Sequence, residues 1–279
     1  MRFATFNVLH GRPITDGRPV PFPGGTAAGE PLARAVASLD ADVLALQELD
    51  RFQERSGGLD QAAVAAAASG ARDWRYASAV HGRSVPGTGW VPDPAEPGLH
   101  VYGPRDAAQG DGPPSHGIAL VTRLPVREWR ARRLSPSPVG LPLRVPGVAG
   151  LRMMSDQPRC ALAAVLEGAR GPFTVVAVHL SFVPGWNVGQ LVAVRRWISG
   201  LPRPHLLLGD LNLVGPVPPL VLGGAWRTLA RRRTYPSHRP VVQFDHVLAA
   251  GVGRAAVRSA RAPAVPVSDH RPLVVDLEP

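Results

Sequence analysis

Lysine is absent from this sequence: all 31 basic residues among its 279 are arginine, and against 21 acidic residues they leave a net charge of +10. Two explanations compete for that. Guanidinium groups fork onto phosphate, so an arginine-rich surface suits a polyanionic partner. Arginine, alanine, glycine and proline are also all encoded by GC-rich codons, so mutational bias produces the same composition. Either way the excess creates a field that favours anionic partners. Cysteine is nearly absent too. The single Cys160 excludes an intramolecular disulfide and any multi-cysteine zinc site, and its apolar neighbours Ala161-Leu162-Ala163 predict a buried, inert thiol on a strand. No apolar run approaches the ~18 residues of a membrane span. The chain opens on a strand-like run, with no basic stretch leading into an apolar one, so no signal peptide is predicted and a cytoplasmic protein is expected. Internal repeats are missing as well. What is abundant is apolar: 45% of the residues against 19% charged, ample for a packed core and outside the disordered class. One α/β domain over residues 1–279, acting as a monomer, is expected, since single-domain sandwiches reach ~200 to 250 residues.

The first third alternates strand and helix, with strand patterns at 2–8 and 42–47, a helix at 31–39 and an Ala-rich helix at 61–69. From Gly82 to His116 the composition shifts to Gly, Pro and Asp with almost no periodicity, which predicts a long excursion. A strand at 117–122 restores regular structure. Leu134 to Pro158 is a second Pro-rich stretch, followed by strands at 160–166 and 173–178. A helix at 188–201 places Leu191, Val194, Trp197 and Ile198 on one stripe. Strands at 244–249 and 272–277 close the chain, with Pro272 tolerated because it opens its strand. The βαβ-like segments mixed with hairpins in both halves predict two sheets packed face to face with helices outside, a four-layer α/β/β/α sandwich.

Polar residues punctuate the apolar runs. Asn7 closes Phe3-Ala4-Thr5-Phe6, Glu48 closes the run from Val43 to Gln47, and His179 closes the run from Phe173 to Val178. Asp210 and Asn212 follow Leu206-Leu207-Leu208-Gly209, and Phe244-Asp245-His246 and Ser268-Asp269-His270 adjoin the last runs. Strand ends are rigid enough to aim such groups at one phosphorus, which is the layout of a metal-dependent phosphoesterase. On an extended backbone Asp210 and Asn212 point the same way, one able to take a proton from water and one to donate to a phosphate oxygen. Gly209 permits a close backbone approach. Adjacent Asp269 and His270 cannot share a face of a regular strand, so this turn must be irregular. A hard divalent cation prefers carboxylate oxygen, which makes Glu48 the first candidate ligand for Mg²⁺.

Taken in order, Asn7, Glu48, His179, Asp210 with Asn212, Asp245, and Asp269 with His270 resemble the motif series of the endonuclease/exonuclease/phosphatase superfamily. That superfamily includes the DNase I-like nucleases, the abasic-site endonucleases and the bacterial sphingomyelinases. The resemblance runs from about Asn7 to Leu277 and implies the same four-layer fold and a Mg²⁺-dependent phosphoesterase, with Mn²⁺ as the substitute metal. It implies Glu48, Asp269 and Asn7 at the metal, Asn7 through its amide oxygen or by holding the attacking water. It gives Asp210 and Asn212 the base and phosphate-donor roles. Asp245 would fix the tautomer of His270, which meets the scissile phosphate, and His179 would stabilise or protonate the leaving group. In the DNase-like branch that His leans on an upstream Glu, and the segment from Trp74 to His81 offers no acid for it. Arg123, Arg159 and the run Arg231-Arg232-Arg233 sit in segments similar to those around the family's groove, as structural residues, a solvated face or phosphate contacts. His10 and His116 adjoin family-like segments and are candidate pocket-lining residues, with His81 a weaker one.

The expected reaction is hydrolysis of a phosphodiester. Nucleic acid is the leading substrate because of the positive charge, and a phospholipid head group or a small phosphomonoester is the alternative. Trp90 and Tyr102, inside the Gly/Pro segment, either stack on bases or pack on the sheet. A reading from another class is a non-catalytic, arginine-rich nucleic-acid-binding protein on an enzyme-derived scaffold. Loss of catalysis predicts gaps among the site residues, and none is missing.

Overall fold

The first strand, β1 (Arg2–Asn7), shows how the layers arise. Phe3 enters a core made by two sheets, while Ala4 and Phe6 point the other way into a cluster with Leu32, Ala35, Val36 and Leu39 of helix α1 (Glu30–Leu39). Both faces are covered, so the strand reads as an almost continuous apolar run. The computed structural model describes residues 1–23, 25–85, 88–95, 98–110, 112–143 and 150–278. In chain order the further strands of the two sheets are β2 (Val43–Arg51), β3 (Asp73–Val85), β4 (Gly89–Pro92), β5 (His100–Tyr102), β6 (Ser115–Thr122), β7 (Val126–Leu134) and β8 (Arg159–Gly168). They continue with β9 (Gly171–His179), β10 (His205–Asp210), β11 (Trp226–Thr228), β12 (Asp245–Ala250), β13 (Val257–Arg261) and β14 (Leu273–Leu277).

The first sheet runs β13-β14-β1-β2-β6-β3-β4, with β5 added along β3, and the second runs β11-β12-β10-β9-β8-β7. Between them lies a core of Phe3, Val43, Ala45, Leu120, Leu162, Phe173, Val175, Leu206, Val247 and Val275 with their neighbours. The Phe3 and Phe173 rings meet edge-on across it at 6.2 Å. Helices α1 and α2 (Gln61–Ser69) cover the outside of the first sheet, and α4 (Trp186–Trp197) and α5 (Val217–Leu222) cover the second, with a short α3 (Pro104–Gln109) between β5 and β6. The result is the expected four-layer α/β/β/α sandwich. None of the described helices is long and apolar enough to cross a membrane.

Helix α2 starts where predicted because the Asp60 side chain caps it, accepting from the Ala62 and Ala63 amides. The stripe predicted on α4 buries Leu191, Val194 and Ile198, with Trp197 only partly covered, and the helix spans Trp186–Trp197 rather than 188–201. The segment 82–116 is more regular than its composition suggests. Strand β3 runs on to Val85 and turns back into β4, and β5 pairs with β3 as well. These strands are only four and three residues long, so their stability comes from cross-strand pairing with β3 rather than from their own pattern. Residues 86, 87, 96, 97 and 111 of that segment lie outside the described residues, as do 144–149 of the Pro-rich stretch 134–158, where Leu141–Leu143 pairs with Arg152–Met154.

Register is what builds a site. In the second sheet His179 of β9 pairs with Asp210 of β10, which pairs with Asp245 of β12, so three side chains predicted to act stand in one row. In the first sheet Asn7 pairs with Gln47, one residue before Glu48. Both rows lie at the same end of the sandwich.

Candidate active site

Strand β2 does not end at Glu48. It continues to Arg51, and Glu48 adopts a left-handed conformation (φ 58°) where the pairing with β6 slips between Leu46 and Leu49. The extra residue is a β-bulge. It lets Leu46 and Leu49 both enter the outer core and turns Glu48 toward Asn7, whose Nδ2 donates to Glu48 Oε1 at 2.8 Å. The same Nδ2 donates to Asp210 Oδ2 at 3.1 Å, joining the two sheets, while Asn7 Oδ1 accepts from the Leu9 amide. Asn7 thus spaces the two carboxylates, with its amide oxygen held by the Leu9 amide.

Gly209 precedes Asp210 on β10 where a Cβ would overlap the Val178 carbonyl of β9. Gly209→Ala is expected to force the two strands apart and lower the unfolding midpoint by about 5–10 °C, corresponding to about 2–3 kcal/mol of overpacking, measured by thermal denaturation. Beyond Asp210 the backbone is not extended. Asn212 has φ 49°, its amide donates to Asp210 Oδ1 at 2.9 Å, and its Nδ2 donates to the Leu180 carbonyl at 3.0 Å. Asp210 and Asn212 therefore form an Asx turn, not two side chains projecting in parallel, because the short acid outcompetes strand continuation for that amide.

The irregular turn demanded at 268–270 is present, with Ser268 at φ 69°. Ser268 Oγ donates to the Asn7 carbonyl at 2.6 Å and accepts from the His270 amide at 3.0 Å, so the turn is pinned to β1. His270 Nδ1 donates to Asp245 Oδ2 at 2.8 Å, and its Nε2 lies 3.8 Å from Asp210 Oδ2. The carboxylate fixes the tautomer, and Tyr235 flanks the ring at 4.9 Å. Burial alone would lower the His270 pKa, but Asp245, by charge and hydrogen bond, with Asp210 and Asp269, pushes it up to about 10. Burial and the charge of Asp245 raise Asp210, and burial raises Asp269, to which Glu48 and Asp210 add repulsion. Ligand atoms of Asp210, Asp245 and His270 all lie within 4.8 Å of one another.

His179 has a different partner from the acid sought in the sequence. Arg159 Nη1 lies 3.2 Å from its Nδ1 and 3.4 Å from its Nε2, and the carboxylates facing Nε2 are Asp210 at 3.8 Å and Glu48 at 4.0 Å. Burial and the Arg159 charge hold the imidazole neutral, well below its ordinary pKa. Arg159 in turn pairs with buried Asp156.

Sequence reasoning missed a second charged cluster beside the site. Arg55 forks onto fully buried Asp50 at 2.7 Å through both Nε and Nη2, and Ser56 Oγ and His116 Nδ1 donate to the same carboxylate. Burial would raise Asp50, yet Arg55 and His116 hold it well below the usual carboxylate range. Asp50, Arg55 and Ser56 lie within seven residues of one another, and His116 reaches the same carboxylate from β6. His116 lines a small cleft with His179 and Arg159, as expected of a pocket residue, and the Trp90 ring stands 6.5 Å from it. His10 is lowered to about 4 by burial and by Arg55. Tyr102 packs under the Arg51 guanidinium, and His81 Nε2 bonds its hydroxyl. Arg123 lies at the opposite end of the sheet, bonding Ser69 and Asp40, and is structural. Arg231, Arg232 and Arg233 form an exposed face. Cys160 is buried, and burial pushes its thiol up to about 12, as an inert core residue should be.

The model of the endonuclease/exonuclease/phosphatase family matches residues 4–270 of this chain. The chain belongs to that family. Solved structures share the fold at low sequence identity. An endonuclease/exonuclease/phosphatase from Beutenbergia cavernae superposes with a TM-score of 0.60 at 22% identity, covering 100% of this chain and 71% of its own. A mannosyl-6-phosphatase from Bacteroides thetaiotaomicron gives 0.59 at 15% identity, with 100% and 99% covered. D. rerio TDP2 complexed with a single-strand DNA product gives 0.52 at 15%, with 99% and 97% covered. No curated protein sequence matches the chain. Family members are hydrolytic phosphoesterases that generally use divalent metals.

Proposed function

We propose that this protein is a Mg²⁺-dependent phosphodiesterase, formed by the chain as one catalytic domain, whose substrate is nucleic acid. The observation that carries the reading is the convergence, from both sheets, of Glu48, Asp210, Asp245 and Asp269 with Asn7, His179 and His270 at one end of the sandwich. The residues fit a divalent cation. Several carboxylates crowd together with His270 as their principal counter-charge, two of them are raised by burial and mutual repulsion, and one oxygen of Asp269 is buried without a hydrogen-bond partner. Glu48 and Asp269 would hold the ion, since hard cations take one or two protein carboxylates. When bound, it supplies neutralisation of charge developing on the phosphoryl oxygens and leaving group.

The chain's own residues divide the remaining work. His270, whose pKa its carboxylate neighbours push up to about 10, is placed to donate from Nε2 to a phosphate oxygen. Asp210 is left as the group that takes the proton from water, oriented by Asn7 and by the Asn212 amide. Neutral His179, with Arg159 beside it, faces the leaving group. The excess of arginine supports a polyanionic substrate. The likeness to a mannosyl-6-phosphatase favours a small phosphomonoester as the second reading.

Plasmid DNA, phosphatidylcholine vesicles, a sugar phosphate and bis(p-nitrophenyl) phosphate, each assayed with Mg²⁺, Mn²⁺ or EDTA, separate these readings. DNA cleavage that requires metal and disappears in His270→Ala is expected. Turnover of the sugar phosphate alone would replace the nuclease reading. Binding of DNA without turnover of any ester would return the non-catalytic one.

A further inference from the structure

The edge strand of the second sheet carries arginines that differ in their company. Arg127 pairs with Glu167 and Arg130 with Glu128, but Arg132 and Arg133 have no acidic partner among the described residues. Both are exposed and line a groove of about 460 Å³ with Ser135, Trp186 and Gln190. Trp186 leaves 38% of its surface in solvent, although its Nε1 donates to the Ser135 carbonyl at 2.8 Å, which holds the ring in place. Gln190 Nε2 donates to that same carbonyl, and its Oε1 accepts from Ser181, two residues after His179. On the strand side, Leu134 pairs with Arg159, the residue that touches His179. The groove thus begins beside the site and is tied to it from both walls.

We propose that this groove is a subsite for a single-stranded polynucleotide, resting on the nucleic-acid reading of the site. Arg132, on the α4-facing side of β7 with buried Leu134, is an unneutralised guanidinium fork for a backbone phosphate, while adjacent Arg133 stands on the other face of the strand at the rim of the groove. Trp186 is a pre-positioned platform on which an unpaired base stacks, which a paired base in a duplex does not offer. Scattered surface charge would not combine an immobilised, exposed indole with an arginine on the facing strand that has no acidic partner among the described residues.

The test is fluorescence anisotropy with a fluorescein-labelled oligothymidylate in EDTA, across a salt series, together with hydrolysis of bis(p-nitrophenyl) phosphate in Mg²⁺. Arg132→Ala is expected to weaken binding about ten-fold and to reduce the salt slope by about 0.7, the loss of one phosphate contact. Trp186→Ala is expected to weaken binding about ten-fold, with Trp186→Phe close to wild type. Turnover of the small diester, which needs no groove, stays unchanged in all three. Equal affinity of these variants and wild type, or an equal loss in Arg227→Ala at the far edge of the sheet, overturns the subsite. A wild-type protein that hydrolyses no phosphoester refutes the proposed function, and the anisotropy then still decides the groove.

Discussion

On the proposed function, Asp210→Asn is expected to lower kcat by about 10³- to 10⁴-fold, at the upper end of what loss of a positioned general base removes. Asp210 sits between the sheets, receives hydrogen bonds from Asn7 and the Asn212 amide, and is raised above its ordinary value by burial and by Asp245. An amide of the same shape keeps the fold, so the unfolding midpoint moves by no more than a few degrees. Substrate affinity changes little, because the proton transfer belongs to the transition state. Steady-state kinetics beside a thermal melt checks both halves. A variant retaining a tenth of wild-type kcat would show that another group takes the proton.

Asp245→Ala has the second large effect, and it falls on stability and activity together. Asp245 is fully buried and is the main partner of a buried, cationic His270. Removing one member of a buried pair leaves the other uncompensated at a cost of about 3–5 kcal/mol, a drop in unfolding midpoint of about 6–20 °C, with kcat down at least 10²-fold. The same pair predicts a pH dependence. His270 is raised from about 6.5 in the unfolded chain to about 10 in the folded one, so its contribution is complete below about pH 6.5 and is lost as pH rises through 10. Unfolding free energy in EDTA falls across that window, by at most about 1.4 kcal/mol per pH unit, and His270→Asn flattens the slope. Urea titrations at pH 6, 8 and 10 measure it. A slope unaltered in His270→Asn would place the titrating group elsewhere.

Most strands, three helices and the polar residues that converge at one end of the sandwich were legible because they depend on local pattern. Asp60 caps α2 through its own side chain, and the apolar run from Val43 to Leu46 is buried on both faces whatever follows it. The misplaced features depend on pairing. Strands β4 and β5 have no pattern of their own, and the bulge at Glu48 appears only when β2 is laid against β6. Asn212 looked like a second projecting side chain because the spacing of two assumes an extended backbone, and the Asx turn breaks that assumption. The partner of His179 was sought upstream as an acid, whereas Arg159 arrives from the adjacent strand.

By itself the sequence determined the layer architecture, through alternation of apolar residues, and the chemical type of the groups at the strand ends, through their order along the chain. Only the tertiary structure decided in which direction each group's proton affinity moves. Those shifts follow from distance and burial: Asp245 at 2.8 Å raises His270, burial with Arg159 at 3.2 Å lowers His179, and enclosure between two sheets raises Asp210. Electrostatic energy depends on separation and on the loss of water, and neither is encoded in sequence spacing when the partners lie on different strands.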